Sequence, residues 1–174
     1  MKTKSALIDA VNLLIGAVGD KFETDEDGDP ERDFMVARCP KRLEPTLRGL
    51  PTLSMHLLGP IADEPLSVVG LAARSGQLKG TVSKHVQRLV EAGLVARTPV
   101  PGNRKELTLG LTADGELVTA AHAALHDEMD RGMREFLQRY SNADLQVLET
   151  VLRDLLAARK DGVRIVAGRG DDER

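Results

Sequence analysis

The chain has 174 residues, of which 41% are hydrophobic and 29% are charged, as is usual for a globular protein of one domain with extensions. No apolar run reaches the roughly 20 residues that a membrane-spanning helix needs. The apolar N-terminal segment is interrupted by Asp9 and Asn12, so it does not match a signal peptide, and we expect a cytoplasmic protein.

The net charge of −3 is distributed unevenly. Residues 1–73 carry a net charge of −4 and residues 106–174 a net charge of −5. Between them, residues 74–105 carry seven basic and one acidic side chain, a net charge of +6. A basic island in an acidic chain is typical of a surface that binds a polyanion.

The N-terminal fifth of the chain predicts one amphipathic helix followed by an acidic connection. The helix covers residues 4–20, where five apolar side chains recur at helical spacing. These are Leu7, Val11, Leu14, Ile15 and Val18. Residues 23–33 contain seven acids and one Arg, which predicts a solvated connection because like charges repel. A calcium loop is the alternative, but the spacing fits it poorly. Prolines limit residues 34–50 to short helical pieces.

Residues 51–74 predict two further helices, which lead into a tight turn. The first covers residues 51–62, and the second covers residues 66–74 with Ser67 as its N-cap. Ser75-Gly76-Gln77 then forms the turn, because glycine supplies the backbone freedom that such a corner requires.

A helix over residues 79–92 follows this turn and ends at Gly93, a C-cap residue. Two helices joined by a short turn that contains glycine are a helix-turn-helix. The last helix has an apolar stripe and, opposite it, a polar basic face. This face consists of Thr81, Ser83, Lys84, Gln87 and Arg88. His85 lies at the edge of the face, where a structural role is favoured over base recognition.

A β-hairpin and two more helices complete the predicted elements. Residues 94–100 and 104–110 have the composition of strands and flank the turn-forming Pro101-Gly102-Asn103. A long helix begins after Thr112, and Ser141-Asn142-Ala143-Asp144 caps the last one. A helix-turn-helix followed directly by such a hairpin is a winged helix.

The sequence over residues 5–160 resembles the MarR-type transcriptional regulators. The most specific stretches are LSVVGLAARSGQLKGTVSKHVQRLVEAGLV and RTPVPGNRKELTLGLTADG, where Leu111-Thr112-Ala113-Asp114-Gly115 matches the sequence that closes the family's wing. The family's wing tip usually carries Asp-any-Arg, whereas this chain has Asn103, Arg104 and Lys105. The charge of the tip is kept, but the bracing Asp–Arg pair is absent.

The resemblance implies a mainly α fold with a small β-hairpin wing, in which a winged helix-turn-helix is joined to dimerisation helices at both ends. The expected organisation is an N-terminal dimerisation helix with its acidic connection over 1–50, a DNA-binding domain over 51–111, C-terminal dimerisation helices over 112–160 and a disordered tail over 161–174. We expect a homodimeric repressor, without a cofactor, that binds a palindromic site on double-stranded DNA under the control of a small ligand. The expected DNA-binding residues are Ser75, Gln77, Lys79, Thr81, Ser83, Lys84, Gln87, Arg88, Asn103, Arg104 and Lys105.

Three alternatives remain open at the level of sequence. The winged helix could mediate protein assembly without binding specific DNA. His122, His126 and Asp130 share one stripe of the long helix, which fits either part of a metal site or a solvated helix face. Cys39, the only cysteine, lies near basic residues, which fits either a redox-sensing thiolate or a structural thiol. We find no phosphate loop, nucleophile elbow or paired catalytic carboxylates, so we do not expect an enzyme.

Overall fold

The computed structural model describes residues 3–23, 29–100, 103–161 and 164–166. The helices are α1 (Lys4–Glu23), α2 (Pro30–Val36), a 3-10 turn (Lys41–Leu43), α3 (Glu44–Gly49), α4 (Thr52–His56), α5 (Leu58–Asp63), α6 (Val68–Ser75), α7 (Lys79–Glu91), α8 (Ala113–Leu137) and α9 (Asn142–Ala157). The strands β1 (Val95–Val100) and β2 (Asn103–Leu111) form one antiparallel pair, and β3 (Arg159–Asp161) and β4 (Arg164–Val166) form another. The predicted fold class, mainly helical with a two-stranded wing, is confirmed.

The described chain divides into two compact units, Met1–Leu125 and His126–Arg174. The first unit contains a single hydrophobic core, which α7 enters through three side chains that are fully buried. The core extends beyond the DNA-binding domain predicted over 51–111. It also takes in side chains from α2, the 3-10 turn, α3 and the first three turns of α8, among them Met35, Leu43, Leu47, Val118 and Leu125.

Two segments differ from the sequence-based expectation. The acidic connection over 23–33 ends earlier than expected, because α2 begins at Pro30 and Asp29 caps it by accepting a hydrogen bond from the Arg32 N–H at 2.8 Å. The helix predicted over 51–62 is divided at Leu57 into α4 and α5. Pro60 explains the division, because it has no N–H to donate to the carbonyl four residues earlier.

Glycines at positive φ end both helices of the helix-turn-helix, as the sequence predicts. Gly76 has φ 65° and follows α6, and Gly93 has φ 72° and follows α7. After α7, the Leu94 N–H donates to the Leu89 carbonyl at 2.9 Å and the Gly93 N–H donates to the Val90 carbonyl at 3.0 Å. This pair of bonds is a Schellman motif, and both Leu89 and Leu94 are fully buried.

The start of α8 is fastened to the end of α7 by two of the three hydrogen bonds that Thr112 makes. Its N–H donates to the Leu94 carbonyl at 3.0 Å, and its hydroxyl donates to the Gly93 carbonyl at 2.6 Å. The same hydroxyl accepts from the Gly115 N–H at 3.1 Å. A Cβ at Gly115 would lie 2.0 Å from the Leu94 carbonyl oxygen, so this backbone approach requires glycine.

The second unit contains the remainder of α8, then α9 and the β3–β4 pair. The predicted cap of α9 is confirmed as a capping box, in which Ser141 and Asp144 each bond the other's backbone N–H. We expected residues 161–174 to be disordered, but residues 164–166 form β4, which pairs with β3. Residues 167–174 lie outside the described residues.

We predict that Gly115→Ala destabilises the protein by about 2 kcal/mol or more, because the new methyl group meets backbone that cannot rotate away. The matched control is Gly132→Ala in the same helix, where a Cβ would meet nothing within 4 Å. That substitution should stabilise by about 0.5–1 kcal/mol through helix propensity. Urea unfolding at equal protein concentration measures both, and equal stabilities would contradict the close approach.

Candidate nucleic-acid interface

Helix α7 is held by one face and exposed on the other. Val82, Val86 and Leu89 are fully buried in the core of the first unit. On the opposite face Ser83, Lys84 and Gln87 are exposed, and Thr81 and Arg88 are half-buried. The structure therefore presents the five predicted polar residues together on a helix that the core fixes in place.

The cations of this face are available for an external anion. Among the residues that the structure describes, no carboxylate lies within ion-pair distance of Lys79, Lys84 or Arg88. Arg74 differs, because it pairs with Asp63 and with Glu64, the latter at 2.8 Å. Among the described residues of the basic island, the unpaired positive charge therefore lies on α7 and not on α6.

The turn before α7 places its two predicted residues in different environments. Ser75 is half-buried, and its hydroxyl donates to the Ala72 carbonyl at 3.4 Å, whereas Gln77 is exposed. Helix α7 begins at Lys79 without a side-chain cap hydrogen bond. Its first N–H groups therefore lack a side-chain acceptor and are suited to binding a phosphate oxygen.

The wing is an antiparallel hairpin in which Thr98 faces Thr108 and Val100 faces Asn103. Asn103, Arg104 and Lys105 belong to β2, but their side chains lie outside the described part of the chain, as do residues 101–102. Arg97 is an exposed cation of β1 that the sequence analysis did not select. The strand alternation around it was the signal that could have identified it.

Leu78 is a second residue that the sequence analysis missed. It precedes α7 at the N-cap position and is 80% exposed, although leucine is usually buried. It lies outside the apolar stripe of α7, which was the available sequence signal. An apolar side chain at this end of a DNA-binding helix can contact a thymine methyl group.

His85 is a structural residue of α7, as its position at the edge of the polar face predicts. Its Nδ1 and the Ser54 hydroxyl share a hydrogen bond of 2.8 Å, and Ser54 is fully buried in α4. Burial lowers the pKa of His85, and the nearby charges of Arg88 and Lys84 lower this pKa further. The neutral imidazole is therefore the form that fits the folded protein.

The remaining candidates of the sequence analysis lie elsewhere. His56 of α4 lies close to His122 and His126. One ligand atom from each of the three lies within 4.8 Å of the others. Asp130 is not part of this group.

Cys39 is half-buried with its Sγ 3.8 Å from the Leu117 carbonyl, and burial raises the pKa of its thiol. A raised pKa favours the structural interpretation of Cys39 over the redox one.

None of the described helices is both long enough and apolar enough to cross a membrane.

Comparison with known proteins gives matches to transcriptional regulators. A model of the MarR family matches residues 48–106. The transcriptional regulator HosA of Escherichia coli O111:H- is 30% identical over 99 residues, which cover 56% of this chain and 71% of HosA. The HTH-type transcriptional regulator YhjH of Bacillus subtilis is 30% identical over 103 residues. That alignment covers 59% of this chain and 59% of YhjH, so it spans less than two thirds of this relative.

Solved structures share the fold at lower sequence identity. ZitR of Lactococcus lactis, described as a zinc-responsive MarR family member, superposes with a TM-score of 0.66 at 18% identity, covering 87% of this chain and 97% of ZitR. FabT of Streptococcus pneumoniae, solved in complex with DNA, superposes with a TM-score of 0.58 at 16% identity, covering 86% of this chain and 94% of FabT.

We predict that the folded protein loses stability as the pH falls below about 6.5, the ordinary pKa of histidine. The lowered pKa of His85 means that its stabilising contribution is present above this pH and is lost as the imidazole takes up a proton. His85→Gln keeps a hydrogen-bonding group beside Ser54 but cannot titrate. Urea midpoints at pH 7.5 and 5.5 in metal-free buffer should therefore differ more for the wild type than for this variant. Equal differences would contradict the assignment.

Proposed function

The chain belongs to the MarR family of transcriptional regulators, and we propose that it binds double-stranded DNA as a homodimer, with α7 in the major groove. The observation that carries this proposal is the face of α7. Its cations have no carboxylate partner among the described residues, whereas its opposite side is fixed in the core. A rigid helix with an unpaired basic face suits recognition of a charged groove.

The proposed contacts fall into two groups. We assign Gln77 and Lys79, with the N–H groups that begin α7, to phosphates, which fix the register of the protein on DNA. We assign to base edges the five residues of the polar face, where Lys and Arg bond guanine and Gln bonds adenine: Thr81, Ser83, Lys84, Gln87 and Arg88. In the free protein Gln87 donates to Glu91 at 2.8 Å, so reading a base requires Gln87 to release this carboxylate.

The remaining predicted residues complete this interface. Ser75 supports the turn through its bond to the Ala72 carbonyl, and Asn103, Arg104 and Lys105 supply the wing contacts to the backbone or the minor groove. Arg97 adds a cation to the wing. The structure of FabT in complex with DNA supports the proposal, because that protein has the same fold.

The homodimer is proposed from apolar helices that the single chain leaves uncovered. Helix α1 has no buried residue among its described side chains, and seven of its large apolar side chains are 49–75% exposed. Helix α9 also has no buried residue. Exposed apolar surface of this extent is typical of a protein interface. A second copy of the chain is the proposed occupant, because a two-fold dimer matches a palindromic DNA site.

Repression and its control by an effector complete the proposal. A dimer that occupies a promoter blocks transcription, and an effector that favours another spacing of the two α7 helices releases it. A metal ion is a second candidate for the effector, supported by the convergence of three histidines and by the zinc-responsive relative ZitR. The proposed function includes no catalytic step.

We predict that the double variant Lys84→Ala/Arg88→Ala binds operator DNA about 100-fold more weakly, since each lost contact costs about 1–3 kcal/mol. The slope of log affinity against log salt should also become shallower. The probe is a DNA fragment selected from the host genome by the wild-type protein, and fluorescence anisotropy measures the affinity.

The matched control for this variant is Arg131→Ala/Arg153→Ala, which removes the same charge from exposed positions outside the helix-turn-helix. It should bind within about threefold of the wild type. Equal affinities of the two double variants would contradict the assignment of α7 and favour the alternative in which the winged helix mediates protein assembly.

We predict that Leu14→Glu/Ile15→Glu converts the dimer to a monomer, because two carboxylates would be buried without partners in the interface. Light scattering should then give the chain mass of 18.9 kDa and not twice that value. Asn12→Glu adds a charge to the same helix outside its apolar stripe and should leave the dimer intact. A monomeric wild-type protein would refute the proposed dimer.

A further inference from the structure

Three of the four histidines of the chain converge on one place. His56 ends α4, while His122 and His126 lie one turn apart on α8. The ring centroids of His56 and His122 are 5.1 Å apart. One ligand nitrogen from each of the three lies within 4.8 Å of the others. His56 is 66 residues from His122 along the chain, so the fold and not local sequence brings them together.

The donor set fits a transition-metal ion. Zinc is bound by imidazole nitrogens at ~2.0–2.1 Å in tetrahedral geometry, which places ligand nitrogens about 3.4 Å apart. His56 and His126 are exposed and His122 is half-buried, so small side-chain rotations can close the remaining distance. Three imidazoles favour zinc and similar ions over calcium or magnesium, which prefer oxygen ligands.

We propose that His56, His122 and His126 bind one divalent transition-metal ion of the zinc class, with the fourth position left to water or an exogenous ligand. The site joins the end of α4 to the face of α8. It includes His56, which the stripe on α8 does not contain, and it does not require Asp130.

The position of His56 gives the bound ion a route to the DNA-binding helix. Ser54 lies two residues before His56 in α4, is fully buried, and shares its hydroxyl hydrogen bond with His85 of α7. Helix α4 also packs against α7. An ion that fixes the end of α4 therefore acts on the hydrogen bond that joins Ser54 to His85 of α7. This effect on DNA rests on the proposed function, whereas metal binding stands on the histidine geometry alone.

The site is tested by titrating the metal-free full-length protein with Co²⁺ and then with Zn²⁺ at pH 7.5. We expect one ion per chain, a visible Co²⁺ absorption of tetrahedral type, and displacement of Co²⁺ by Zn²⁺. His56→Ala and His122→Ala should each weaken Zn²⁺ binding at least tenfold in competition with a chromophoric chelator.

Two controls separate this site from general metal binding. His85→Gln removes the fourth histidine and Asp130→Asn removes the acid of the α8 stripe, and both should bind Zn²⁺ as the wild type does. Urea unfolding of each variant without metal shows whether it is folded. Unchanged Zn²⁺ affinity in a folded His56→Ala variant, or less than one ion bound per chain in the wild type, would overturn the site.

The coupling is tested by measuring operator affinity of the same proteins with Zn²⁺ and with chelator. We expect Zn²⁺ to change the affinity of the wild type at least fivefold, and not to change that of His122→Ala. Ser54→Ala should bind Zn²⁺ normally but lose most of this change. If Zn²⁺ binds without changing the DNA affinity, the proposed coupling is wrong but the proposed metal site stands. Absence of DNA binding with and without Zn²⁺ would refute the proposed function and not the site.

Discussion

The backbone junction between the end of α7 and the start of α8 is the constraint on which the rest of this structure depends. Here the carbonyls of Gly93 and Leu94 accept hydrogen bonds from Thr112, and Gly115 leaves room for the Leu94 carbonyl. The Schellman turn at Gly93 directs the chain into β1, and Thr112 returns it from β2 to the same point. Helix α7, the hairpin and α8 are thereby fixed to one another.

This junction explains why one face of α7 is free for another molecule. The buried side chains of α7 and Leu94 at its end belong to the same core, so the helix cannot roll about its axis without exposing them. The backbone positions that carry its unpaired cations are therefore fixed relative to the base of the hairpin. A site that reads base edges needs such rigidity, because hydrogen bonds tolerate only small errors in distance and angle.

The elements that the sequence predicted well are those whose signals are local. Ser67, Gly93, Thr112 and Ser141 cap their helices through neighbours within a few residues, and all four interactions are present. The elements it missed depend on competing or distant interactions. Pro60 divides a helix that has continuous apolar periodicity, and His56 approaches His122 only after folding. The place of Leu78 outside the apolar stripe of α7 was a local signal, but how far its side chain is exposed depends on how α7 is seated in the core.

We propose that the unpaired face of α7, presented twice by a symmetric dimer, reads DNA. Hydroxyl-radical footprinting of the wild-type protein on genomic fragments that it selects shows whether it does. We expect protection of two inverted half-sites whose centres lie about one helical turn, or roughly 10 base pairs, apart. A single protected site without internal symmetry, or no enrichment of any fragment over bulk DNA, would contradict it.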